Sequence, residues 1–122
     1  MSDLNVIDSS AWLEYLSGSD RADLYAEAIE NVENLIVPII SVYEVFKRVL
    51  RDRNESDALQ VVGSMISGRV IEIDLPLSLE AAKLNLPLAD SLIYATAQRY
   101  DATLWTQDID FKDLPGVRYF PK

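Results

Sequence analysis

Apolar positions along this chain switch repeatedly between short continuous runs and helical spacing, the pattern of strands alternating with helices. Residues 4–7 form a short apolar run that ends at Asp8, and Ser9 or Ser10 can then cap a helix carrying Ala11, Trp12, Tyr15 and Leu16. Ser17-Gly18-Ser19 breaks that pattern. Asp20 can cap a second helix, with Ala22, Tyr25, Ala26, Ile29 and Val32 on one side. Residues 35–38 read as a brief buried strand. Ser41 and Glu44 have capping-box spacing and open a helix with Val42, Val45, Phe46, Val49 and Leu50 on its apolar side, closed by cations at 51–53. Residues 56–67 predict another helix, with Ala58, Leu59, Val62 and Ile66 inward and Gly68 at its end. A third strand at 70–73 is β-branched, and a short helix at 75–84 follows it. Pro87 opens a helix running to about Tyr100, and residues 103–106 and 117–120 supply the fourth and fifth strands.

Alternation of this kind predicts an α/β fold with a mostly parallel five-stranded sheet covered on both faces. No repeat, linker or low-complexity segment interrupts it, so residues 1–122 are expected to form a single domain. Ligands in such sheets gather at the carboxyl ends of strands. Asp8 follows the first strand and Asp108 the fourth, which puts both at that end. Glu44 and Asp90 fall in opening turns of helices that can reach the same crevice.

Asp90 stands out because it is the one carboxylate in an otherwise apolar helical stretch, residues 86–97. A helix N-terminus favours a negative charge by roughly 0.3–1 kcal/mol, whereas an unpaired buried carboxylate costs several kcal/mol. An ion or a donor must answer it, unless Asp90 simply caps a helix beginning at Ser91.

Composition narrows the chemistry. The chain has no cysteine and no histidine, which removes disulfides, thiolate or imidazole zinc sites and histidine-based catalysis together. Any hydrolytic chemistry must rest on carboxylates, hydroxyls, Lys, Tyr or a metal. A net charge of −9 argues against broad electrostatic binding to nucleic acid, so contact with it must come from a local basic patch. Lys47, Arg48 and Arg51 share a helix face with Glu44, with Arg53 just beyond. With no basic leader at residues 1–5 and no apolar run of membrane-spanning length, a soluble cytoplasmic protein is expected.

Asp8, Glu44, Asp90 and Asp108 are far apart in sequence, yet each lies at an element junction facing one crevice. Carboxylates brought that close repel, so either their pKa values rise or a divalent cation neutralises them. Oxygen donors alone select a hard ion, Mg²⁺ or Mn²⁺, and such an ion can activate water for phosphodiester hydrolysis. Each residue also has a plainer role open to it: Asp8 as an N-cap, Glu44 as the return arm of its capping box, Asp108 as a turn residue. Thr106 can bond a neighbouring carboxylate or merely end its strand. Asp110 can assist from the turn or be solvated. Trp12, Tyr15, Tyr25, Tyr43 and Phe46 are expected in the core or an interface rather than stacked on bases.

The segments at 6–12 (VIDSSAW), 41–45 (SVYEV), 86–97 (LPLADSLIYATA) and 106–111 (TQDIDF) together resemble a PIN-domain ribonuclease, the toxin of a VapBC-type toxin–antitoxin pair. They occur in family order and span nearly the whole chain. The resemblance implies a PIN-like three-layer α/β/α sandwich and an acidic Mg²⁺ or Mn²⁺ site made by Asp8, Glu44, Asp90 and Asp108, with Thr106 and Asp110 supporting. It implies endonucleolytic cleavage of RNA, a homodimer, and inhibition by a small DNA-binding antitoxin. The sequence departs from the family at residues 75–85, shorter than the helix usual there. A non-catalytic PIN-like binding module and a PIN-fold nuclease acting on DNA are the alternatives.

Overall fold

The computed structural model describes residues 3–122. Its strands are β1 (Asn5–Ile7), β2 (Leu35–Pro38), β3 (Arg69–Ile71), β4 (Thr103–Thr106) and β5 (Val117–Tyr119). Its helices are α1 (Ser9–Ser17), α2 (Asp23–Glu30), α3 (Ile39–Asp52), α4 (Glu55–Met65), α5 (Leu75–Ala82) and α6 (Leu88–Arg99), with short 3₁₀ turns at Val32–Asn34 and Ile109–Phe111. All strand pairings are parallel, in the order β3-β2-β1-β4-β5, so the expected mostly parallel sheet is wholly parallel.

Alternation along the strands builds the layers. Ile7, Leu35, Val37 and Trp105 pack with Ala11, Trp12, Tyr25, Ala28, Ile29 and Met65 on one face. Val6, Ile36 and Leu104 pack with Ile93, Tyr94, Ala97 and Phe111 on the other. This is the period-two rule applied to strands buried on both sides, and it yields a three-layer α/β/α sandwich. Between the sheet and α5, every residue of α6 from Ser91 to Ala97 is buried. Two of its hydroxyls are satisfied within the helix, Ser91 donating to the Leu88 carbonyl at 2.6 Å and Thr96 to the Leu92 carbonyl at 2.8 Å, while Tyr94 donates to the Pro115 carbonyl at 2.7 Å.

Several local expectations are corrected. Asp20 caps nothing: the Ser19 hydroxyl accepts the Arg21 amide and the Ala22 amide bonds the Ser19 carbonyl, a turn that delays α2 to Asp23 and leaves Val32 in a 3₁₀ turn. Nor does the Ser41–Glu44 capping box form. Pro38 is extended and passes straight into a helix beginning at Ile39, so Ser41 lies inside the helix on its buried face, its hydroxyl unpartnered. On α4, Ala58 and Met65 are buried while Leu59 and Ile66 are exposed, because α4 rests mainly on α3 and needs only a narrow apolar stripe. Tyr43 is 57 % exposed rather than in the core.

Two connections are tighter than the pattern suggested. The Asp74 carboxylate caps α5 by accepting the Leu77 amide at 2.9 Å and is gripped by both terminal nitrogens of the Arg99 guanidinium. Gly68, between α4 and β3, lies where a Cβ would sit 2.9 Å from the Leu35 carbonyl oxygen. Among the described residues no helix is long and apolar enough to cross a membrane.

Candidate active site

The carboxyl ends of β1 and β4 lie side by side, and this sets the first two acidic residues next to each other. Asp8 leaves β1 with its amide bonded to the Trp105 carbonyl at 3.0 Å. It occupies the N-cap position of α1 in extended conformation, yet its side chain makes no capping bond. Its Oδ2 instead accepts from the Ser10 hydroxyl at 2.6 Å and the Thr106 hydroxyl at 2.9 Å. Thr106, fully buried at the end of β4, also accepts the Asp108 amide at 2.9 Å. One hydroxyl therefore ties the two acidic strand ends together. Asp108 keeps a turn role as well, its Oδ1 accepting the Asp110 amide at 2.9 Å.

Helices bring the other two. Glu44 lies in the second turn of α3, and its Oε1 accepts the Ser9 hydroxyl at 2.6 Å. Asp90 is in the first turn of α6, which begins at Leu88 behind Pro87, so it does not cap a helix starting at Ser91. Among the described residues, no cation or hydrogen-bond donor answers the Asp90 carboxylate.

Asp90, Asp108 and Asp110 each present a carboxylate oxygen, all within 4.8 Å of one another. Asp110 thus belongs to the tight group rather than to its margin. Asp8 and Glu44 lie outside this triplet but line, with Asp90 and Asp108, an open groove of about 620 Å³. Lys47, Arg48 and Arg51 form one wall of it. Arg53 does not line this groove; it pairs with Asp57 on α4 at 3.5 Å and faces a neighbouring one. Arg48 and Arg51 both pair with the exposed Asp52, at 2.7 and 3.0 Å. Solvent-exposed pairs of this kind contribute little and release easily.

Crowded like charges show in the protonation equilibria. Burial raises the Asp90 carboxyl from 3.8 to about 7, helped by Asp8, Asp108, Glu44 and Asp110. Burial also pushes the Asp8 carboxyl up, while the Ser10 and Thr106 hydroxyls pull it back and Asp108 adds to the rise. The donor set is entirely carboxylate oxygen, which suits a hard divalent cation. Oxygens of the triplet lie up to 4.8 Å apart, against the ~4 Å that two ligands of one Mg²⁺ can span, so small side-chain rotations suffice for a fit.

Sequence reasoning treated Ser9 and Ser10 as helix caps, whereas they hold Glu44 and Asp8. Two serines directly after an acidic strand end were the available signal. Gln107 was missed altogether. Its amide nitrogen donates to Glu14 at 3.1 Å while its oxygen accepts from Arg21 and Tyr25, each at 3.1 Å, which fixes the link between Thr106 and Asp108. Ser19 and Gln107 hold the Glu14 carboxyl down at about 2.

Residues 6–117 match the family model described as PIN domain. Among solved structures, the chain is similar to a toxin–antitoxin complex from Klebsiella pneumoniae, with 22 % identity, 97 % of this chain and 99 % of that chain covered, and a TM-score of 0.80. It is similar to the DNA-bound VapBC of Salmonella typhimurium at 14 % identity, with 99 % and 98 % covered and a TM-score of 0.75. It is also similar to Mycobacterium tuberculosis VapC20, a toxin that cleaves the sarcin–ricin loop, at 14 % identity, with 93 % and 96 % covered and a TM-score of 0.74. At these identities the likeness is one of fold. No match is found among curated proteins.

Proposed function

The chain belongs to the PIN domain family, and from that membership we propose that it is a Mg²⁺- or Mn²⁺-dependent endoribonuclease, the toxin of a type II toxin–antitoxin pair. One observation carries this reading: carboxylates from four separate stretches of chain converge on one groove and leave Asp90 unanswered, its pKa near 7. Maintaining that repulsion without a cation wastes stability, and a cation relieves it.

Asp8, Glu44, Asp90 and Asp108 would hold the ion, with Asp110 alongside. A bound Mg²⁺ or Mn²⁺ supplies charge stabilisation for the phosphoryl oxygens and lowers the pKa of water. The chain's own residues do the rest. Ser9, Ser10 and Thr106 fix the carboxylates through hydroxyl bonds, which preorganises the site before substrate arrives. Lys47, Arg48 and Arg51 provide cations along one wall for backbone phosphates on either side of the bond to be cut. Because these sit on α3 with Glu44, a strand held by them passes over the acidic cluster.

An antitoxin partner is supported by the toxin–antitoxin complexes among the similar folds, and we place the protein in the cytoplasm as a homodimer. RNA as substrate is supported by the likeness to a toxin that cleaves the sarcin–ricin loop. The test is cleavage of structured RNAs by purified protein with Mn²⁺ or with chelator, beside Asp90→Asn. Cleavage dependent on both the metal and Asp90 is expected; cleavage unaffected by either would overturn the proposal.

A further inference from the structure

Resting on that nuclease reading, we propose that Tyr43 is a stacking platform for an unpaired nucleobase, so that the substrate must present a flipped-out or single-stranded base beside the bond to be cut. Tyr43 precedes Glu44 directly on α3, lines the acidic groove, and is 57 % exposed. Tyr43 is the one exposed aromatic among the described residues; Trp12 and Tyr25 are fully buried, and Trp105 is stacked on Phe120 at 5.9 Å. Tyr43 has no aromatic partner among the described residues. A single exposed ring is ordinary on a protein surface; what marks Tyr43 is that its ring shares one groove with the acidic residues and the cations of α3.

The Lys47 geometry leaves the ring available. Its ammonium donates to the Tyr43 hydroxyl at 3.3 Å but lies 5.5 Å from the ring centroid. A nitrogen that near the hydroxyl and that far from the centre sits beyond the oxygen end of the ring, not above its face. Lys47 therefore orients the ring and puts a phosphate-binding cation next to it without occupying the π surface. Arg51 continues the same helix face one turn further on, and Leu13 and Leu50 add apolar surface to the groove. Aromatic face, adjoining cations and apolar floor together match what single-stranded nucleic acid requires: stacking for a base and charge for its backbone. An arginine or aromatic side chain of a protein partner would use the same ring face, so the experiment includes a peptide beside the RNAs.

The experiment measures binding of short single-stranded RNAs to the Asp90→Asn protein with Ca²⁺, together with cleavage kinetics in the active background with Mn²⁺. Each nucleotide in turn is replaced by an abasic ribose. We expect Tyr43→Ala to weaken binding roughly five- to a hundredfold, to raise KM more than it lowers kcat, and to be rescued by Tyr43→Phe or Tyr43→Trp. One abasic position should abolish the difference between Tyr43 and Tyr43→Ala. Since the side chain is exposed, its removal leaves the core intact, and unchanged melting confirms that. Cleavage by the native protein with KM unmoved in Tyr43→Ala overturns the stacking role and leaves the nuclease reading standing. Equal loss in Tyr43→Phe assigns the effect to the hydroxyl and overturns it too, as does a peptide whose binding depends on Tyr43 while RNA binding does not. If native protein neither binds nor cuts any RNA, the nuclease reading falls and takes this inference with it.

Discussion

Replacing Asp90 by asparagine in metal-free protein removes one charge from a crowded acidic site, and the effect on stability should be positive. The Asp90 carboxyl rises from 3.8 to about 7 on folding, by burial first and then by Asp8, Asp108, Glu44 and Asp110. A shift of that size is worth about 4 kcal/mol at full strength, and because Asp90 is only half buried, solvent screening reduces it to about 2 kcal/mol. Loss of the favourable charge at the start of α6 works the other way by about 0.3–1 kcal/mol, leaving a net gain of about 1–2 kcal/mol. The folded state holds this proton more tightly than the unfolded chain. Stability is therefore full below about pH 4 and is lost as the pH rises through about 7. Thermal melts followed by circular dichroism in chelator, across that range, should show Asp90→Asn more stable by roughly 3–8 °C above neutrality. Towards the acid end the difference should vanish. Added Mn²⁺ should reverse the order, raising native stability by about 2.7 kcal/mol at a hundred times Kd and the variant by much less. A variant less stable than native at neutral pH, or a difference independent of pH, would refute the reasoning.

Thr106→Val deletes the hydroxyl that joins Asp8 to the Asp108 amide; a loss of about 1–3 kcal/mol and weaker Mn²⁺ binding are expected by denaturation and calorimetry, with Thr106→Ser restoring most of both. Ser41→Ala removes a buried hydroxyl without a partner, so chemical denaturation should show stability unchanged or raised by up to ~1 kcal/mol; a clear loss would mean that the hydroxyl is satisfied. Gly68→Ala forces a methyl to 2.9 Å from the Leu35 carbonyl and should cost about 1–3 kcal/mol by the same measurement.

Much of the architecture was legible because short apolar strand runs alternate with helical spacing along the chain. Residues 35–38 and 103–106 are short, apolar and turn-bounded, and they fall in the sheet where expected. The acidic residues at the ends of β1 and β4 could be placed from topology alone, since the sheet is parallel. What sequence could not supply was competition between local and tertiary contacts. Ser41 and Glu44 have the spacing of a cap, but the helix starts three residues earlier because Pro38 already ends the strand in extended geometry. Ala58 is buried as expected, but Leu59 and Ile66 are not: the neighbour available to α4 is another helix, and Val61 and Met65 turn towards the interior instead. Tyr43 carries no local signal distinguishing a buried ring from one on a groove wall. Asp110 was undervalued because its place in the cluster depends on the 3₁₀ turn that Asp108 caps.

Strand β1 precedes the other four strands in the chain and lies at the centre of the sheet, and this shapes how the sheet is assembled during synthesis. Its pairing with β2 is available early, but its other neighbour, aligned Asn5 to Thr103, lies 98 residues further on. A nascent chain that stalls before β4 carries Asp8, Glu44 and Asp90, with β1 as an open edge inviting pairing with another chain. Closing so long a loop is entropically slow. Thr106, Asp108 and Asp110 all arrive with that closure, so the acidic cluster assembles only once β4 has paired with β1. Truncated products should accordingly be aggregation-prone and degraded, with no half-formed site of intermediate competence.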